Sequence, residues 1–183
     1  MDPTVLPDDL PVPEDDGAAA HLPNSQLPAI ALPATDGSEV RLDQLEGRTV
    51  LFAFPRTGRP GEESPGGNER WNAIPGARGC TPQACSFRDE HASFAEHDVR
   101  VLGISTQDTA YQREAVERLQ LPYPLLSDER LELARALALP TFDVEGTTLL
   151  KRITLFLKDG RVEDVIYPVF PPDRSAADAL ARL

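Results

Sequence analysis

Two short runs set the limits on the fold. Thr49-Val50-Leu51-Phe52-Ala53-Phe54 and Val99-Arg100-Val101-Leu102-Gly103-Ile104-Ser105 are almost wholly apolar and do not alternate with polar residues. A strand with one wet face alternates, whereas a continuous apolar run suits a central strand covered on both faces. Pro55 closes the first run, because it cannot donate to a sheet ladder. Helical patterns lie between and after these strands: Thr81 to His97, with Ala84, Phe87, His91 and Phe94 on one face, Thr109 to Leu119, and Asp128 to Leu137 before Pro140.

Smaller signals complete the order. Asp36-Gly37 lies between Ile30-Ala31-Leu32 and Glu39-Val40-Arg41-Leu42, which reads as a hairpin, and Asp43 to Gly47 reads as a turn of helix. Tyr123 to Leu126 forms a short strand. Arg152 to Leu157 and Arg161 to Tyr167 pair about Asp159-Gly160, and Ser175 caps a final helix. Strand and helix alternate early and an antiparallel pair comes late. That order predicts an α/β, thioredoxin-like fold with a central mixed β-sheet flanked by helices.

With 183 residues, one domain and a real core are expected. The organisation reads as an acidic, proline-rich leader over residues 1–24 followed by the domain over 25–183. The leader carries six Asp or Glu, no Lys or Arg, and Pro3, Pro7, Pro11 and Pro13, and is read as disordered or loosely draped. A long Gly/Pro-rich loop runs from Pro55 to Gly79, a length expected of functional or disordered segments. Trp71 in that loop is expected to pack it down. A net charge of -12 and a pI near 4.6 argue against nucleic acid and membrane surfaces as partners. The N-terminus lacks a basic region and an apolar run, so no secretory signal is read and a cytoplasmic location is expected.

The only cysteines are Cys80 and Cys85. Cys80 follows a glycine-rich turn and opens a predicted helix, where free N–H groups and the helix dipole favour a thiolate. Residues five apart in an α-helix have Cα atoms about 8.7 Å apart, and a disulfide needs less than about 7 Å. The two sulfurs therefore bond only if the helix unwinds. Taken alone, the pair also suits two inert helix residues. A zinc or copper site with His21, His91 or His97, or a thiol-disulfide oxidoreductase, are the other readings. The C-x4-C spacing departs from the C-x2-C that each of these prefers.

The stretch Gly79-Cys80-Thr81-Pro82-Gln83-Ala84-Cys85-Ser86-Phe87-Arg88-Asp89 resembles the active-site helix of peroxiredoxins, and is most similar to the peroxiredoxin Q (bacterioferritin comigratory protein) group. Phe54-Pro55, Val101 to Ser105, Leu125-Leu126-Ser127-Asp128 and Arg152 to Leu157 fall in the matching order. The resemblance implies a thiol-dependent peroxidase that reduces hydrogen peroxide and organic hydroperoxides. It makes Cys80 the peroxidatic residue, Cys85 the resolving one in an intramolecular disulfide, Arg152 the thiolate-stabilising arginine and Pro55 the shielding proline. It implies thioredoxin or a similar dithiol as reductant, with no metal, flavin or haem. An intramolecular pair favours a monomer. Two departures stand out. The group's Thr or Ser three residues before the peroxidatic cysteine is Ala77, with Thr57 as the candidate substitute, and the Pro55 to Cys80 connection is unusually long. The motif assigns Gln83 no role.

Overall fold

In a computed structural model of the chain, residues 5–183 are described; Pro3 and the rest of residues 1–4 lie outside them. The two apolar runs become β3 (Arg48–Ala53) and β4 (Val99–Ser105), paired in parallel at the centre of a five-stranded sheet. β5 (Leu125–Ser127) joins β4 in parallel, while β8 (Ile153–Lys158) and β9 (Arg161–Ile166) complete the other side antiparallel, giving the order β5-β4-β3-β8-β9. This is the mixed sheet of a thioredoxin-like fold. The Asp159-Gly160 turn between β8 and β9 has φ of 45° and 78°, the left-handed pair a tight hairpin requires.

Alternate residues of the central strands enter different cores, which is why the strands read as continuous apolar runs. Leu51, Ala53, Leu102, Ile104 and Leu155 point to one face, with Leu133 of α5 (Glu132–Ala136) and Leu42. Val50, Phe52, Val101 and Phe156 point to the other. There α2 (Cys80–Asp89), α3 (His91–Glu96) and α6 (Ser175–Leu180) cover them through Ala84, Phe87, Phe94, Ala176 and Ala179. Phe87 stacks on Phe52 at 4.2 Å between centroids, fixing α2 to the middle of the sheet. α4 (Thr109–Leu119) is capped by Asp108, whose carboxylate accepts from Tyr111 N at 2.7 Å.

Several expectations change in detail. The helix foreseen from Thr81 to His97 is two helices, broken at Glu90, whose backbone leaves helical geometry at φ −95° and ψ 6° although its N–H still bonds Ser86 O at 3.1 Å. Within the 55–79 loop lies α1 (Asn68–Ala73). Thr141 to Leu150 forms a hairpin of β6 (Thr141–Val144) and β7 (Thr147–Leu150) about Glu145-Gly146. The N-terminal hairpin pairs β1 (Ala31–Pro33) with β2 (Glu39–Arg41). The leader needs the largest correction. Its far end is not a free extension: Ala19 and Leu22 are buried in the core, and Asp16 pairs with Lys151 at 2.6 Å and accepts from Tyr167 Oη at 2.8 Å. Charge and proline content averaged over the segment hid two apolar anchors, and burial of those anchors offsets the entropy of ordering it.

Candidate active site

Cys80 is the first residue of α2, 4% exposed. Gly79 before it has φ of 106°, and a Cβ there would overlap Pro172 Cγ and come within 2.9 Å of Leu6 Cδ2. Only glycine makes that turn, and the turn aims Cys80 inward. At the helix start the N–H groups of Cys80 and Thr81 have no intrahelical acceptor, and Pro82 has no N–H to leave orphaned. Gln83 N closes the first turn on Gly79 O at 3.0 Å.

Arg152 arrives from a distant part of the chain, directly before β8. β8 lies beside β3 in the sheet, with Ile153 opposite Ala53. This register brings the guanidinium of Arg152, 3% exposed, across to the start of α2. Its Nη2 donates to Cys80 Sγ at 3.4 Å and also faces the carbonyls of Gly76 (3.2 Å), Ala77 (3.5 Å) and Arg78 (3.2 Å). Its Nη1 donates to Gln83 Oε1, and Gln83 Nε2 donates onward to Ser175 Oγ at 3.1 Å. Gln83 is fully buried. A buried cation thus sits against the sulfur, oriented by a glutamine that α6 in turn holds.

Cys85 is half-buried on the same helix, and both cysteines are free. The helix is intact between them, so the geometric bar to a disulfide in this state holds. Burial pushes the Cys85 thiol above its ordinary value, with Arg88 opposing. Tyr123, also buried, donates to Ala84 O at 2.6 Å beside it. That bond ties the turn of α2 that carries Cys85 to the segment before β5.

Of the other residues singled out, Pro55 is buried at the end of β3, directly before the loop that walls the site. Thr57 is not turned toward Cys80. Its N–H and hydroxyl both donate to Gln107 Oε1, at 2.8 and 3.2 Å, and Gln107 Nε2 returns a bond to Thr57 O at 3.0 Å. Thr57 anchors the loop to the end of β4, so it does not replace the hydroxyl absent at Ala77. The Cys80 thiol instead lies 3.7 Å from Ala77 O. Trp71 packs down as expected, on Ala77, Val144 and Leu149. Among the described residues, no group of three His, Cys, Asp or Glu is placed to hold a metal ion, which leaves the metal-module reading without a ligand set. No helix among them is long and apolar enough to cross a membrane. Sequence reasoning missed Gln83 and Ser175 as site residues. The only available signal was a polar residue three positions after Cys80 on an otherwise buried helix face.

Comparison with known proteins places the chain in a family. The Redoxin family profile matches residues 22–181. The chloroplastic peroxiredoxin Q of Oryza sativa subsp. japonica is 31% identical over 156 residues, which cover 85% of this chain and 64% of the rice protein. The chain thus spans less than two thirds of that relative. The crystal structure of peroxidoxin BcpB from Mycobacterium tuberculosis superimposes with a TM-score of 0.69 at 30% identity, over 88% of this chain and 96% of that one. A cysteine-to-serine mutant of PrxQ from Xylella fastidiosa shares the fold at 17% identity with the same TM-score, over 88% and 95% of the two chains. With an arginine held on the sulfur at a helix start and matches of this extent, the chain belongs to the Redoxin family, among its peroxiredoxins of the Q and bacterioferritin comigratory protein group.

Proposed function

We propose that the chain is a thiol-dependent peroxidase acting on hydroperoxides. The observation that carries this reading is Arg152 Nη2 at 3.4 Å from the sulfur of Cys80, at the start of α2. The Cys80 thiolate attacks the terminal oxygen of the hydroperoxide, a sulfur–oxygen bond forms and the O–O bond breaks. Arg152 and the N–H groups at the helix start stabilise the charge on the departing oxygen, which leaves as water or alcohol after taking a proton. Cys80 is left as a sulfenic acid. α2 then unwinds from its N-terminus, Cys85 condenses with the sulfenic acid, and water leaves as the disulfide forms.

An external dithiol of the thioredoxin kind reduces that disulfide and the helix reforms. No cofactor enters this cycle. Both cysteines belong to one chain, which supports a monomer as the working unit, and a cytoplasmic, reducing compartment would supply the dithiol. The test is peroxide consumption with a thioredoxin system. Cys80→Ser should abolish it. Cys85→Ser should allow one turnover and leave a sulfenic acid that dimedone traps. Repeated thioredoxin-driven turnover by Cys85→Ser would remove Cys85 from the cycle.

A further inference from the structure

Cys80 opens onto a cavity of about 130 Å³. Twelve of the fourteen residues that line it belong to the 55–79 loop, and the other two are Cys80 and Thr81. The long connection is therefore the wall of the reaction chamber. That wall is mostly charged or polar: Arg56, Arg59 and Arg78 against Glu62 and Glu63, with Trp71 as its one large apolar side chain. Arg56 lies 4.0 Å and Arg59 3.8 Å from Glu62, and Arg59 also lies 3.6 Å from Glu114, so the wall is polar and ion-paired.

The wall is also braced. Arg59 lies over the Tyr111 ring at 4.1 Å from its centroid, Tyr111 Oη donates to Glu62 at 2.7 Å, and Arg118 Nη2 holds Gly58 O at 2.9 Å. Trp71, 4% exposed, locks α1 onto β6 and β7. A cavity of about 150 Å³ takes one benzene when its lining is apolar. This smaller, polar chamber has no room for an aryl ring with its substituents, and burying one against arginine and glutamate would strip those groups of water without replacing its bonds. A roomier, more apolar cavity of about 380 Å³ lies beside Phe142, Tyr167 and Val169; it reaches Arg152 but Cys80 does not line it.

We propose that the 55–79 loop is the specificity element of the enzyme. It admits hydrogen peroxide and short polar hydroperoxides and excludes bulky apolar ones, with Trp71 and Arg59 as the residues that set the limit. This rests on the peroxidase reading and names its substrate class.

The test is stopped-flow oxidation of the reduced full chain by hydrogen peroxide and by cumene hydroperoxide. Hydrogen peroxide should react at least about tenfold faster, a discrimination of the size a misfitting group produces. Trp71→Ala should narrow that ratio by opening the chamber. Arg59→Ala, a partly exposed position away from the packed cluster, should narrow it in the same direction and serves if Trp71→Ala does not fold. Equal rates for the two peroxides in the unmodified chain, or variants that scale both rates by one factor, would overturn the sieve. Inertness of the unmodified chain to both peroxides would instead overturn the peroxidase reading, and the sieve with it.

Discussion

Replacing Gln83 by Leu isolates the support of Arg152 from the chemistry of Cys80. Gln83 is fully buried, touches Arg152 Nη1 through Oε1 and Ser175 Oγ through Nε2, and has no exposed surface through which water could take its place. Leucine fills similar volume and removes both bonds. A hydrogen bond to a charged partner is worth about 1.5–3 kcal/mol, and a buried donor left unmade costs a comparable amount. If that loss falls on the transition state, the rate of Cys80 oxidation drops by about 10- to 150-fold. Urea unfolding should show a stability loss within the same range of about 1.5–3 kcal/mol. Gln83→Glu separates the two effects: it keeps an acceptor for Arg152, so stability holds, but its carboxylate offsets the guanidinium charge at Sγ, so the rate still falls. Stopped-flow oxidation by hydrogen peroxide and urea titration of the same preparations measure both. A folded Gln83→Leu variant reacting within about twofold of the unmodified chain would refute the claim that Gln83 positions Arg152.

Three further outcomes follow from the packing. Leu22→Ala should destabilise the protein by about 2–4 kcal/mol in urea unfolding, the loss expected of a core leucine; a change near zero would return the leader to the solvent. Gly79→Ala places a methyl against Pro172 and Leu6 at φ 106°, so both stability and Cys80 reactivity should fall, by about 2–4 kcal/mol in stability. The third concerns pH. Burial holds the Cys85 thiol above its ordinary value of 9.0, so the fold favours the neutral form. That preference stabilises the fold below pH 9 and is lost as pH rises from there toward the folded value. Thermal midpoints of Cys80→Ser should therefore fall more steeply above pH 9 than those of the double variant lacking both thiols. Parallel curves would contradict it.

How much of this was legible in the sequence depends on whether the cause was local. β3 and β4 were read almost to the residue, because burial on both faces removes the polar alternation, and their short length and the Pro55 stop favour a strand over a buried helix. The Asp159-Gly160 hairpin was legible through its turn chemistry. Cys80 and Arg152 were paired by resemblance, and sheet register supplies the physical reason they meet across 72 positions. The Thr141 to Leu150 hairpin carried a signal that went unused: Glu145-Gly146 between Phe142-Asp143-Val144 and Thr148-Leu149-Leu150. Gln83 was not legible, because no pattern distinguishes a buried glutamine from a solvated one until the partners on Arg152 and Ser175 are known. Thr57 was misassigned for the same reason, since its hydroxyl is claimed by Gln107, fifty residues away. The leader failed as a composition argument: acidic and proline-rich on average, its far end is held by buried Ala19 and Leu22 and by Asp16, which pairs with Lys151 and accepts from Tyr167.

The central claim is that Cys80 and Cys85 form one redox unit whose closure unwinds α2. Intact mass of the reduced protein, quenched within seconds of adding one equivalent of hydrogen peroxide, tests it most directly. The predicted result is a loss of two hydrogens with both thiols gone, together with a loss of helical signal in the far ultraviolet. An unchanged mass with both thiols still titratable would show that Arg152 does not activate Cys80, and the account would fail at its first step.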